Sequence, residues 1–214
     1  MDEEITIIDT KTRNEKIKNF ILKNKNKILS IIFIILVLIL SFYSFKIYKE
    51  NLKEDLSDKY NSAIIDFENG DKSKIKELMI EVIKAKDNTY SPLSLYFLID
   101  NELEVDKNVI NELFDILIKK TALEPEIKNL VIYKKGLYNV DTVNENELLD
   151  ILRPLINSES IWKTHALYLV AEYFYSKNEM QKSKEFFNQI IIEKNANKEI
   201  IQATQKRLNR DFGD

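Results

Sequence analysis

A long apolar stretch near the N-terminus most constrains how this chain can fold. Residues 28–45 read ILSIIFIILVLILSFYSF, without a charge, a proline or a glycine. As an α-helix they cover about 27 Å, close to the roughly 30 Å hydrocarbon core of a bilayer. Lys27 and Lys46 close the two ends. The pattern predicts a transmembrane helix, which we place at residues 28–48.

Two other interpretations of this stretch are a cleaved signal peptide and a buried helix of a soluble protein. The apolar run is longer than the roughly 7–15 residues of a signal peptide, and its end, Ser41 to Ser44, has no small-x-small cleavage site. A buried core helix seldom lacks a polar face over such a length. We therefore expect a retained membrane anchor.

Basic residues flank the stretch unequally. Residues 13–27 contain six lysines and arginines against the single acid Glu15, whereas the lysines just beyond the stretch are mixed with acids. The positive-inside rule then predicts a basic cytoplasmic tail, residues 1–27, and a translocated domain, residues 49–214.

Composition favours an all-α domain. The 214 residues include only three glycines and three prolines, too few for the turns of an all-β fold. The chain has no cysteine and one histidine, which excludes thiol nucleophiles, disulfides and cysteine-based zinc sites. A net charge of −3, with its positive part in the tail, does not provide the basic face that nucleic-acid binding requires.

Apolar residues recur at helical spacing throughout the domain and predict nine helices after the apolar stretch. Their approximate bounds are 52–68, 75–83, 93–103, 109–120, 125–137, 144–152, 161–176, 180–193 and 197–210. Asp71, Ser91 and Asp106 are expected to cap helices, Pro92 and Pro125 to open them, and Pro154 to end one.

The predicted helices pair into hairpins that repeat along the chain. Second helices align at Met79, Phe114, Leu149 and Phe187, with intervals of 35, 35 and 38 residues, and first helices align at the same intervals. Units of about 34 residues are typical of tetratricopeptide-type solenoids, in which each hairpin buries its apolar face against the next. We expect the last helix to cap the array.

The fourth unit resembles the tetratricopeptide pattern most closely. From Leu167 it reads LYLVAEYFYSKNEMQKSKEFFNQIIIEKN, with Ala171 and Ser183 at the small positions and Phe174 and Phe187 at the aromatic positions. Asn178 replaces the usual turn glycine.

The whole layout resembles a family of bacterial single-span proteins related to the ancillary subunit of the Sec translocon. The features that carry the resemblance are the basic tail with RNEKIKNFILKNKNK, one span, the helix KIYKENLKEDLSDKYNSAI that leaves it, and degenerate repeats to the end. The resemblance implies an inner-membrane anchor, a periplasmic repeat domain, and a link between the translocon and periplasmic chaperones. An envelope-assembly or cell-division adaptor, or a regulator acting through the cytoplasmic tail, stays open.

One face of the predicted helix 161–176 is the candidate binding site. His165, Tyr168, Glu172 and Tyr175 follow one another at i, i+3, i+7 and i+10, on the face that lines the concave groove of tetratricopeptide domains. These residues are either a protein-binding strip or an ordinary surface partly covered by the last helix.

We expect no catalytic residues, metal, cofactor or small-molecule substrate, and therefore no enzyme. Carboxylate pairs such as Glu145 and Glu147 fall at a predicted helix start, where they complement the helix dipole. The sequence also lacks a glycine-rich phosphate loop, zinc-ligand spacing and a nucleophile elbow.

Overall fold

The computed structural model of the chain describes residue 13 and residues 15–70, 74–193 and 196–213. The predicted cap Asp71 and the tail up to residue 12 lie outside the described residues. All regular secondary structure in the described ranges is α-helical, with no strand, which confirms the all-α prediction.

The helices follow the predicted order. They are α1 (Lys25–Glu68), α2 (Ile75–Lys84), α3 (Tyr90–Asp100), α4 (Lys107–Lys120), α5 (Pro125–Asn139), α6 (Glu145–Ile156), α7 (Lys163–Ser176), α8 (Met180–Ile192) and α9 (Lys198–Asp211). Residues 15–23 are also helical and precede α1.

Helix α1 contains the apolar stretch and extends well beyond it. It runs for 44 residues, so the predicted helix at 52–68 is its C-terminal part. Its most apolar window is 0% buried within the chain, and its length and composition are sufficient to span a membrane. A core helix of a soluble protein would be mostly buried, so the exposure of this window disfavours that interpretation.

The chain divides into two compact units at the boundary between Asp55 and Leu56. The first unit contains the apolar stretch. The second contains the C-terminal turns of α1, where Leu56 and Ala63 are buried, and all the helices that follow.

Within the second unit, helices from α2 onward pack against their neighbours in chain order. Each contacts the next, and further contacts join α2 to α4, α5 to α7, and α7 to α9. Such near-neighbour packing is what a stack of helical hairpins requires. The tetratricopeptide character of the stack stays a prediction.

The apolar core is correspondingly divided into three clusters along the chain. The first joins α1 to α5 around Met79, Leu98 and Phe114; the second joins α5, α6 and α7 around Leu152; the third joins α7 and α8 around Phe187. Each cluster is therefore built from helices that are close in sequence.

Helix starts confirm the predicted cap Asp106 and the predicted opening at Pro125, and they add a cap at Asn144 that the sequence did not predict. Asp106 accepts a hydrogen bond from the Asn108 amide at 2.9 Å, and Pro125 occupies the first turn of α5. Asn144 and Glu147 form a reciprocal capping box at the start of α6.

Two predicted boundaries are wrong. Ser91 does not cap α3: the helix begins at Tyr90, whose amide donates to Asp87 Oδ1, and Ser91 is buried with its hydroxyl donating to the Val82 carbonyl at 2.8 Å. Pro154 does not end α6, which continues to Ile156. The proline removes one backbone hydrogen bond, but the buried Leu152 and Leu155 keep the last turn packed.

A reciprocal amide pair connects α4 and α5. Asn111 Nδ2 donates to Asn139 Oδ1 at 2.9 Å, and Asn139 Nδ2 donates to Asn111 Oδ1 at 2.8 Å and to the Lys135 carbonyl at 2.8 Å. Asn139 is only 3% exposed. Because a buried amide without partners is costly, this pair constrains how α4 and α5 meet.

Replacing both members of the pair should lower the free energy of unfolding by less than the sum of the two single replacements. We expect Asn111→Ala to lower the free energy of unfolding by about 1–3 kcal/mol, because it leaves the buried Asn139 amide under-satisfied. Urea unfolding of the full chain in detergent micelles, in a double-mutant cycle with Asn139→Ala, measures the coupling. The exposed neighbour Asn108→Ala is the control, and strict additivity of the two changes would contradict the account.

Candidate functional site

The four predicted site residues all lie on α7, and each is partly buried. The opposite side of α7 enters the core through residues that include Ala166, Val170 and Phe174. This forces the predicted face of the helix outward. The structure then divides the four residues between two environments, one at each end of the helix.

At the C-terminal end of α7, helix α9 covers Glu172 and Tyr175. The Arg207 guanidinium donates from Nε to Glu172 Oε1 at 2.6 Å and from Nη2 to Oε2 at 2.5 Å. The same guanidinium lies 4.2 Å from the centre of the Tyr175 ring and donates to Asp211 at 2.6 Å. Arg207 therefore satisfies two carboxylates and one aromatic face at once.

This arrangement leaves the Glu172 carboxylate already paired. The hydrogen bond to Glu172 raises the pKa of Arg207 further, and the Arg207 side chain is only 17% exposed. A partner that used Glu172 would have to displace Arg207. Binding at this end of α7 therefore competes with the docking of α9.

Tyr168 lies between the two ends and packs into the third core cluster. Its ring meets Phe187 edge-on at 5.5 Å, and burial together with the Glu172 charge raises its pKa. It therefore remains protonated at neutral pH and can contribute an aromatic edge and a hydroxyl to a contact.

At the N-terminal end of α7, His165 belongs to an aromatic cluster. Its ring lies 5.0 Å from that of Trp162 and 5.7 Å from that of Tyr133, and Trp162 stacks on Tyr133 at 5.8 Å. Tyr133 comes from α5, so the cluster joins two hairpins.

Burial lowers the pKa of His165, and the Ile161 backbone offsets part of this effect. The Nδ1 atom is buried, and within the described ranges no group meets it with ordinary hydrogen-bond geometry. His165 is therefore neutral at physiological pH. It behaves as part of an aromatic surface and not as a cation.

A cavity of about 370 Å³ opens beside this cluster, lined by Ile161, Trp162, His165 and Asn197. Its volume lies within the range of about 300–1,000 Å³ seen for ligand pockets. Ile161 at its rim is 63% exposed. An aromatic wall with an exposed aliphatic side chain suits an apolar side chain of a protein partner better than a charged ligand.

Other cavities lie elsewhere in the second unit, including one of about 340 Å³ lined by residues between Glu112 and Lys120 of α4, and the following two. One of about 290 Å³ contains Asp115, where burial acts to raise the pKa but hydrogen bonds from Lys135 and Lys119 outweigh it and lower the pKa. The other, of about 180 Å³, contains Tyr96, whose pKa burial raises to about 12. Within the described ranges, no three His, Cys, Asp or Glu side chains cluster to hold a metal ion.

Sequence reasoning missed Trp162, Tyr133 and Arg207 as members of the site. Trp162 could have been found, because it lies one helical turn before His165. Tyr133 and Arg207 come from α5 and α9, and no local spacing relates them to α7.

The sequence matches no model of a known protein family, no curated protein and no solved structure. The function is therefore inferred from the chain's own residues and from its layout.

The docking of α9 should depend on the Arg207–Glu172 pair. We expect Arg207→Ala to destabilise α9 locally by about 1–3 kcal/mol, because it breaks charge-assisted hydrogen bonds of a largely covered side chain. Amide hydrogen exchange should accelerate in residues 198–211 and remain unchanged in α4. Lys206→Ala, an exposed neighbour, is the control. Unchanged exchange of residues 198–211 in Arg207→Ala would contradict a role of the Arg207–Glu172 pair in holding α9.

His165 should make the domain less stable in mildly acidic solution. Because its folded pKa is below the ordinary 6.5, the unfolded chain binds the proton more readily, and the free energy of unfolding falls as pH drops below this value. We expect His165→Phe to reduce this fall between about pH 7 and pH 5. Denaturant titrations of both proteins across this range measure the difference, and identical pH slopes would contradict the assignment.

Proposed function

We propose that the chain is a membrane-anchored helical scaffold that binds protein partners at the outer face of a bacterial inner membrane. The observation that carries the proposal is α1: its apolar window is exposed over its whole length, and the same helix continues into the all-helical second unit. Such a surface is stable only out of water, and a lipid bilayer supplies that environment.

The proposed orientation has the N-terminus in the cytoplasm and the second unit in the periplasm. The support is the excess of basic residues on the N-terminal side of the span, six against one acid between residues 13 and 27. The absence of cysteine from the sequence is compatible with an exported domain that has a large apolar core.

The proposed binding site is the aromatic pocket at Trp162 and His165. It combines the features of a protein-binding hot spot: a partly buried tryptophan, a supporting tyrosine, and an exposed aliphatic rim at Ile161. A tethered scaffold of this kind presents its site at high effective concentration near the membrane.

The partners we propose are translocon subunits or periplasmic chaperones, on the basis of the resemblance in layout. The competing assignments are an envelope-assembly or cell-division adaptor and a regulator that acts through the cytoplasmic tail. Reporter fusions at the two ends test the orientation, and an outward N-terminus would overturn it.

Photo-crosslinking in living cells tests the partner and the site together. We expect a crosslinking residue at Ile161 to capture a translocon subunit or a chaperone, and the same residue at Val105, which is also exposed but distant in the chain, to capture none. We expect Trp162→Ala to weaken the captured interaction by about tenfold or more, as at other hot spots.

Each alternative gives a different result in the same experiment. Capture of cell-wall or outer-membrane machinery at Ile161 would replace the translocon assignment with an adaptor. Equal capture at Ile161 and Val105 would remove the pocket as the binding site. A phenotype on deletion of residues 2–12, with no effect of Trp162→Ala, would favour the tail-mediated regulator.

A further inference from the structure

The helix at residues 15–23 has an arrangement of side chains that the scaffold function does not use. Four large apolar side chains lie on it, and one of them, Leu22, is 62% exposed and lies about 140° from Ile17. The other three, Ile17, Phe20 and Ile21, recur at helical spacing and are 51%, 64% and 48% exposed. At about 100° per residue they fall within one arc of about 100°. They form a narrow apolar stripe, which we call the tail stripe.

Lysines border the tail stripe on both sides. Viewed down the helix axis, Lys18 lies about 100° from Ile17 in one direction, and Lys16 and Lys23 lie about 100–120° from it in the other. All three are exposed. The only acid in residues 13–27, Glu15, lies about 160° from Ile17, on the opposite side of the helix.

This distribution is the one that an interfacial helix needs. The apolar stripe enters the boundary between headgroups and acyl chains, and the flanking lysines reach up to the phosphates with their aliphatic stems in the apolar layer. A carboxylate near the stripe would oppose binding to anionic lipid, but Glu15 lies on the opposite side of this helix.

The helix becomes irregular at one residue just before the span. Asn24 is the only non-helical residue between residues 15 and 68. Its backbone amide and its side-chain Nδ2 both donate to the Phe20 carbonyl, each at 3.0 Å. A side chain that competes for a backbone carbonyl in this way bends a helix without ending it, and the Ile28 amide still donates to the Asn24 carbonyl at 2.9 Å. The irregularity lies four residues before the apolar stretch, at the edge of a membrane that the stretch would span.

We propose that residues 15–23 form an amphipathic helix that binds the anionic phospholipid surface beside the span. The proposal rests on the membrane anchor of the proposed function and adds a second contact with the lipid. An anionic lipid surface fits this segment because six exposed basic side chains lie between residues 13 and 27, three of them beside the stripe, and because the segment leads directly into the apolar stretch.

Site-directed spin labelling of the full chain tests this proposal, and the absence of native cysteine makes each introduced label unique. The chain is reconstituted into vesicles of phosphatidylcholine with or without phosphatidylglycerol. Labels are placed at Ile21→Cys on the stripe, Asn19→Cys on the opposite face, and Leu36→Cys within the span. Relaxation by oxygen and by a water-soluble nickel complex reports whether each label lies in lipid or water.

With phosphatidylglycerol present, we expect the Ile21→Cys label to be shielded from nickel and the Asn19→Cys label to be accessible. This contrast should shrink in pure phosphatidylcholine. It should also shrink when Lys16, Lys18 and Lys23 are replaced by glutamine. Replacing three exposed lysines of the second unit, Lys84, Lys128 and Lys206, makes the same charge change and should leave the contrast intact.

Several outcomes would overturn the proposal, and they separate it from the anchor itself. Equal nickel accessibility at Ile21→Cys and Asn19→Cys, with Leu36→Cys shielded, removes the lipid-binding helix and keeps the anchor. A nickel-accessible Leu36→Cys label removes both. Shielding that is independent of phosphatidylglycerol and of the three lysines removes the preference for anionic lipid.

Discussion

The need to keep the apolar surface of α1 out of water governs the organisation of this protein. Within the chain, nothing covers that surface: in the described ranges, large side chains from Leu29 to Phe45 are about half exposed or more, with few exceptions. The hydrophobic effect scales with such area, so an aqueous location would be strongly unfavourable. The second unit, by contrast, buries apolar residues of its own in three clusters.

The second unit buries its apolar side chains between helices that are close in sequence. Its three core clusters use helices that are adjacent in sequence, so each hairpin depends mainly on its neighbours. The fourth predicted repeat shows how: Ser183 donates to the Ala171 carbonyl at 2.8 Å, which is possible only because both side chains are small. Asn178 adopts φ 61° at the turn between α7 and α8, a left-handed conformation that asparagine tolerates better than most residues and that glycine would otherwise supply.

The face of α7 shows that one helix can present two different surfaces. Its C-terminal half is covered by α9, whose Arg207 forms an ion pair with Glu172. Its N-terminal half remains open as the aromatic pocket at Trp162 and His165. A binding site in this domain is therefore defined as much by where the last helix packs as by the residues of α7, and the open half is the better candidate for an external partner.

The sequence by itself determined the long apolar stretch, the all-α class, the order of the helices and the cap Asp106, because these depend on hydrophobic periodicity and on side chains within a turn of one another. It misplaced the start of α3 and the end of α6, where Asp87 and the buried Leu155 override the local signals of Ser91 and Pro154. Only the tertiary structure decided that Tyr133 completes the aromatic cluster and that Arg207 covers Glu172. Those residues are 32 and 35 positions away from their partners His165 and Glu172, and contacts over such separations arise from packing, which no local pattern encodes.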